Sequence, residues 1–116
     1  MSNEGRYVCY MFINKRLKMG SGKIAAQVAH GMDYLTDDIS SQNQHTKDCW
    51  RRWKETNRRI IVLKCENEEE MEEIHSRYPS IRVIDMGLTQ VNPNSFTVLA
   101  LFPGEFSDNE FSQKLL

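Results

Sequence analysis

The run Tyr7-Val8-Cys9-Tyr10-Met11-Phe12-Ile13 is aromatic, β-branched or otherwise apolar throughout, with no strict alternation. A half-buried strand alternates polar and apolar side chains, so this run fits a central strand covered on both faces. Asn14-Lys15-Arg16-Leu17-Lys18 then makes a basic connection into Met19-Gly20-Ser21-Gly22-Lys23. Gly20 and Gly22 permit a sharp turn, and Ser21 is the expected N-cap of a following helix. Lys23 would then lie in the first turn, where exposed amide N–H groups and the helix dipole already favour an anion. A cation there is poor dipole compensation and makes better sense as a second contact to an anionic ligand. The unit invites comparison with a phosphate-binding G-x-x-x-x-G-K-[ST] loop, but Leu17 occupies the first glycine position and Ile24 follows the lysine, so that reading fails twice.

At about 100° per residue, Lys23, Gln27, His30 and Tyr34 fall on one side of the helix. Ile24, Val28 and Leu35 lie on an adjoining face, which Ala25, Ala29 and Met32 extend; the small alanines would allow close packing on a sheet. Two readings follow from the spacing. In one, Lys23, Gln27 and His30 look into a cleft; in the other, which periodicity alone favours, the first two are solvated and His30 is a hydrogen-bonded boundary residue.

Downstream, Thr36 to Gln44 is polar and reads as helix end and loop. A second helix is expected from about Thr46 to Thr56, sending Cys49, Trp50 and Trp53 to the core. Its other face and the following turn collect Lys47, Arg51, Arg52, Lys54, Arg58 and Arg59, ordinarily a solvated face and, with a nucleic-acid substrate, a candidate phosphate tracker. Ile60-Ile61-Val62-Leu63, short, β-branched and uninterrupted, is expected to be a buried strand. Asn67 with Glu70 resembles a capping box opening a third helix to about Tyr78, with Met71, Ile74 and Tyr78 on its apolar face. The surrounding glutamates point around that helix instead of converging, so no metal site is assigned to them. Pro79 ends the helix, and Ile81 to Ile84 forms a strand ending in Asp85, a position where α/β proteins commonly place functional groups and where a turn cap is equally expected. Thr89 and Gln90 follow in a short extended piece, Pro93-Asn94 turns, and Phe96 to Phe102 is the last strand. Beyond it, Ser107 and Glu110 give a weak capping-box signature, with Phe111, Leu115 and Leu116 expected to pack back on the sheet. The order strand, helix, helix, strand, helix, strand, strand implies a mixed α/β layer structure.

At 116 residues the chain suits one domain with one core, spanning 1–116. A net charge of −1 gives no global attraction for nucleic acid, so an RNA partner would be held by a local basic patch. Cys9, Cys49 and Cys65 lack metal-ligand spacing and read as reduced thiols of an intracellular, cytoplasmic protein. No apolar run is long enough to span a bilayer, and no membrane partner is expected.

The stretch Leu17 to His30, followed by Asp85-Met86-Gly87-Leu88-Thr89-Gln90 and Ser95-Phe96-Thr97-Val98-Leu99-Ala100, resembles peptidyl-tRNA hydrolase of the second type, the archaeal and eukaryotic form. The likeness covers nearly the whole chain, including the tryptophan-bearing middle helix and the Gln113-Lys114-Leu115-Leu116 ending. It implies a mixed four-stranded sheet packed between helices. It also implies an esterase that cleaves the bond between a peptide's carboxylate and the ribose of tRNA, with no organic cofactor, no metal, and homodimerisation left open. The family's functional lysine, glutamine, aspartate and threonine fall on Lys23, Gln27, Asp85 and Thr89, and its helix histidine on His30. Lys23, Asp85 and Thr89 are the expected catalytic residues; Gln27, His30, Lys18, Arg16 and Gln90 are expected to bind substrate.

Ester hydrolysis needs an aligned water and stabilisation of the oxyanion and the departing ribose oxygen. A carboxylate is a weak base at neutral pH, and a neighbouring ammonium weakens it further, so Asp85 is expected to orient water or Lys23 more than to act as full general base. No Ser–His–Asp or Cys–His arrangement is legible, which argues against a covalent intermediate. The sequence departs from the family in having Arg16 where an acid is usual, Leu88 where an arginine is usual and Asn94 where a glycine is usual. The alternatives are a non-catalytic tRNA-binding or protein-interaction module on the same scaffold and, more remotely, an esterase for another acylated RNA.

Overall fold

A computed structural model describes residues 6–86, 94–107 and 109–116. In chain order it contains β1 (Tyr7–Asn14), α1 (Ser21–Asp38), α2 (Gln44–Glu55), β2 (Ile60–Cys65), α3 (Glu68–Arg77), β3 (Ser80–Ile84), β4 (Phe96–Leu101) and β5 (Gly104–Glu105). Four strands pair in the order β2-β1-β4-β3, and the two-residue β5, not expected from the sequence, adds antiparallel to the start of β1. β1 runs parallel to β2 and antiparallel to β4, which is antiparallel to β3. The carboxyl ends of β1, β2 and β3 therefore emerge at one end of the sheet, where open α/β sheets place their ligands.

β1 is buried along its whole length, as its lack of alternation requires. Cys9, Met11 and Ile13 face α1 and α2, meeting Leu35 and Trp53. Val8, Tyr10 and Phe12 face α3 and the tail, meeting Met71, Ile74 and Phe111. All three cysteines are free and buried. Burial pushes the Cys9 and Cys65 thiols up to about 12, helped at Cys65 by the nearby Glu70 charge, so both stay protonated at neutral pH. Among the described residues no helix is long and apolar enough to cross a membrane.

Local chemistry sets the helix ends. Gly20, not Ser21, is the N-cap of α1: its extended backbone leaves Ser21 as the first helical residue, and the Gly20 carbonyl accepts from Ile24 N–H at 3.0 Å. α1 runs on to Asp38, past the expected end near Leu35. α2 starts earlier than its apolar pattern suggests because Asn43 Oδ1 accepts from Thr46 N–H at 2.8 Å. Asn67 caps α3 as expected, accepting from Glu70 N–H at 3.0 Å, but the Glu70 carboxylate pairs with Lys114 instead of returning the bond. Among the described residues of the tail only Phe111 is buried; Leu115 makes a backbone bridge to Leu63 while the Leu115 and Leu116 side chains stay exposed.

The face that α1 presents to the sheet differs from the apolar stripe expected. Ala25 and Ala29 are exposed, and the buried seam is Lys23, Gln27, Gly31 and Leu35, four residues apart, flanked by Ile24, Val28 and Met32. Gly31 permits the close approach: a Cβ there would lie 3.1 Å from Ala100 Cβ and 3.3 Å from Met11 Sδ. Gly31→Val is therefore expected to lower stability by about 1–3 kcal/mol through overpacking, read as a lower urea midpoint at unchanged slope. A midpoint unchanged or raised would show that the helix does not need this contact.

Candidate active site

Asp85 directly follows β3 and is held by its backbone before its side chain is considered. Its N–H donates to Ser95 O at 2.9 Å, and its carbonyl accepts from Asn94 N–H at 2.8 Å. The chain thus leaves and returns beside the same carboxylate. Asn94 has φ 65°, a left-handed conformation that asparagine tolerates better than most non-glycine residues, which explains how it stands where the family resemblance expects glycine.

α1 supplies the other half. Lys23 and Gln27 are one turn apart on its buried seam, and Lys23 Nζ forms an ion pair with Asp85 Oδ1, the two side chains being 6% and 7% exposed. Gln27 Nε2 lies 3.5 Å from the same oxygen. The solvated reading of Lys23 and Gln27 is thereby overturned. Two polar side chains on a packed helix face are buried because remote partners satisfy them.

One of those partners, Thr97, carries no functional signature in the sequence. The β3–β4 register shifts between Val83, opposite Val98, and Ile84, opposite Phe96, leaving Thr97 as the extra residue of a β-bulge. Its fully buried hydroxyl lies 2.6 Å from Gln27 Oε1 and 3.1 Å from Val83 O. Donation to Gln27 Oε1 turns the amide so that its NH₂ faces Asp85; the flipped amide would set oxygen against carboxylate. The available signal was a hydroxyl in the otherwise apolar run Phe96 to Leu101.

Lys23, Gln27 and Asp85 lie at one end of a groove of about 580 Å³ between α1 and the end of β3. His30, Tyr34, Ile84 and Met86 continue its walls. His30 is exposed, not a hydrogen-bonded boundary residue, and its ring stacks on Tyr34 at 6.4 Å between centroids. Arg16 and Lys18 are exposed on the connection before α1 and do not line this groove; Arg16 borders a separate one with Glu68, Glu69 and Glu72. Those glutamates give a physical setting for an arginine where the family usually carries an acid. α2, with its basic face, packs against β5 and β1. Because β5 pairs with the start of β1, this is the end of the sheet away from Asp85. Thr89, Gln90 and Leu88 lie outside the described residues.

A buried ammonium–carboxylate pair with an oriented amide can align water and stabilise a developing oxyanion. Known proteins resemble the chain over most of its length. The family model described as Peptidyl-tRNA hydrolase PTH2 matches residues 7–114. The chain is 34% identical over 103 residues to the peptidyl-tRNA hydrolase of Thermococcus onnurineus, covering 84% of this chain and 85% of that one. It is 37% identical over 98 residues to that of Thermoplasma acidophilum, covering 80% and 81%. To the mitochondrial peptidyl-tRNA hydrolase 2 of Bos taurus it is 30% identical over 109 residues, covering 90% of this chain and 59% of the relative. With the match running from the first strand to the last turn, and taking in both segments that build the groove, this chain belongs to the peptidyl-tRNA hydrolase PTH2 family.

Proposed function

We propose that Lys23, Asp85 and Gln27 carry out hydrolysis of the ester joining a peptide to the terminal ribose of tRNA, releasing free peptide and free tRNA. The observation that carries this reading is the Lys23–Asp85 ion pair, buried at the end of an open groove. Water adds to the ester carbonyl, and the resulting oxyanion is stabilised by the Lys23 ammonium. Collapse breaks the acyl–oxygen bond, and the proton lost by water ends on the ribose oxygen. Asp85, held by Lys23 and near the Gln27 amide, orients the attacking water and fixes the ammonium. Thr89 completes the catalytic set by holding the ester in line. No side chain is asked to form an acyl intermediate.

The acceptor arm is assigned to the start of α1, where Lys15 and Lys18 are exposed and the helix N-terminus favours phosphate. Gln90 and Arg16 are further substrate contacts in this reading. The test is incubation of the purified, chelator-treated protein with N-acetyl-aminoacyl-tRNA. Release of N-acetyl-amino acid and intact tRNA well above the spontaneous rate is expected. Retention of tRNA without turnover would favour the binding module instead.

A further inference from the structure

We infer that the groove leading from the Lys23–Asp85 pair along α1 to Tyr34 receives the peptide half of the substrate and prefers apolar side chains near the ester. This rests on the ester-hydrolase reading above and adds the direction in which the two halves of the substrate lie.

Three observations carry it. The first is charge. Every nucleotide brings a phosphate, yet among the described residues the groove lining contains no lysine or arginine besides Lys23, itself paired with Asp85. A polynucleotide strand would find little to neutralise it there, whereas exposed Lys15 and Lys18 stand before the helix.

The second is exposed apolar surface. Tyr34, Ile84 and Met86 are 39%, 38% and 75% exposed, and all three line the groove. The stacked His30 and Tyr34 rings line the groove together with Met86, whose flexible thioether adapts to side chains of different shape. Such a surface suits a ligand whose sequence varies. The third is length. From Lys23 to Tyr34 the helix rises about 16 Å, which an extended peptide spans in about five residues.

The test uses one tRNA charged with N-acetylated tetrapeptides that are leucine-rich, glycine-rich or glutamate-rich. Wild-type kcat/KM is expected to favour leucine over glutamate by about tenfold or more, with glycine between. Tyr34→Ala and Met86→Ser, both at exposed positions, are expected to bring that ratio toward one, while the inhibition constant of deacylated tRNA moves less than about twofold. Equal rates on all three peptides, with hydrolysis intact, would overturn this inference alone. So would a Tyr34→Ala variant that keeps the ratio but binds deacylated tRNA at least fivefold more weakly, since the rings would then serve a nucleotide base. No hydrolysis of any of the substrates would sink the ester-hydrolase reading and this one with it.

Discussion

Lys23→Met is expected to lower kcat/KM on a blocked aminoacyl-tRNA by about 10²- to 10³-fold, the loss associated with removing one oxyanion-stabilising group. It is also expected to destabilise the fold by about 3–5 kcal/mol, because Asp85 would be left as an uncompensated buried charge. A single variant therefore cannot separate chemistry from stability. The double variant Lys23→Met/Asp85→Leu can, since replacing a buried ion pair by apolar groups of similar size is often neutral or stabilising. Its urea midpoint should return close to wild type while turnover stays at the floor. Recovery of turnover together with stability would mean that the pair only holds α1 against β3.

Thr97→Val is the second large effect. The replacement keeps shape and removes the hydroxyl that lies 2.6 Å from Gln27 Oε1, leaving a buried carbonyl without that donor at a cost of about 1–3 kcal/mol. With the amide free to turn, the water-aligning set loses its geometry, and a displacement of about 1 Å can cost a hundredfold in rate. We expect kcat to fall about tenfold to a hundredfold with KM changed less than about threefold, because Thr97 touches no substrate. Thr97→Ser, which keeps the donor, should restore most of the rate. A parallel loss in both variants would assign Thr97 to packing alone.

These two expectations mark what sequence could and could not reveal. β1 was legible because burial on both faces leaves a continuous apolar run, and the Asn67 cap because its partner is three residues away. Asp85 was legible as a carboxylate at a strand end, and Lys23 with Gln27 as one turn of a helix. Which way that turn faces was not legible, because the partners that make burial tolerable lie 62 residues away for Lys23 and 70 for Gln27. Periodicity scores both as polar and rotates the expected contact face toward Ala25 and Ala29, when Gly31 makes the contact. The bulge that presents Thr97 depends on the β3–β4 register, which neither strand encodes alone. The unexpected β5 is two residues long, too short for any periodicity.

The family's activity and the burial of the pair meet in a single-turnover experiment. Wild type and Asp85→Asn are each mixed in excess with labelled N-acetyl-aminoacyl-tRNA, and bound RNA and intact ester are measured in the same samples. Both proteins are expected to retain the RNA to a similar degree, with the ester cleaved rapidly by wild type and about a hundredfold more slowly by the variant, whose water and ammonium are no longer held in line. Equal cleavage by the two, or RNA held by wild type with its ester intact, would contradict the assignment of this chemistry to the buried pair.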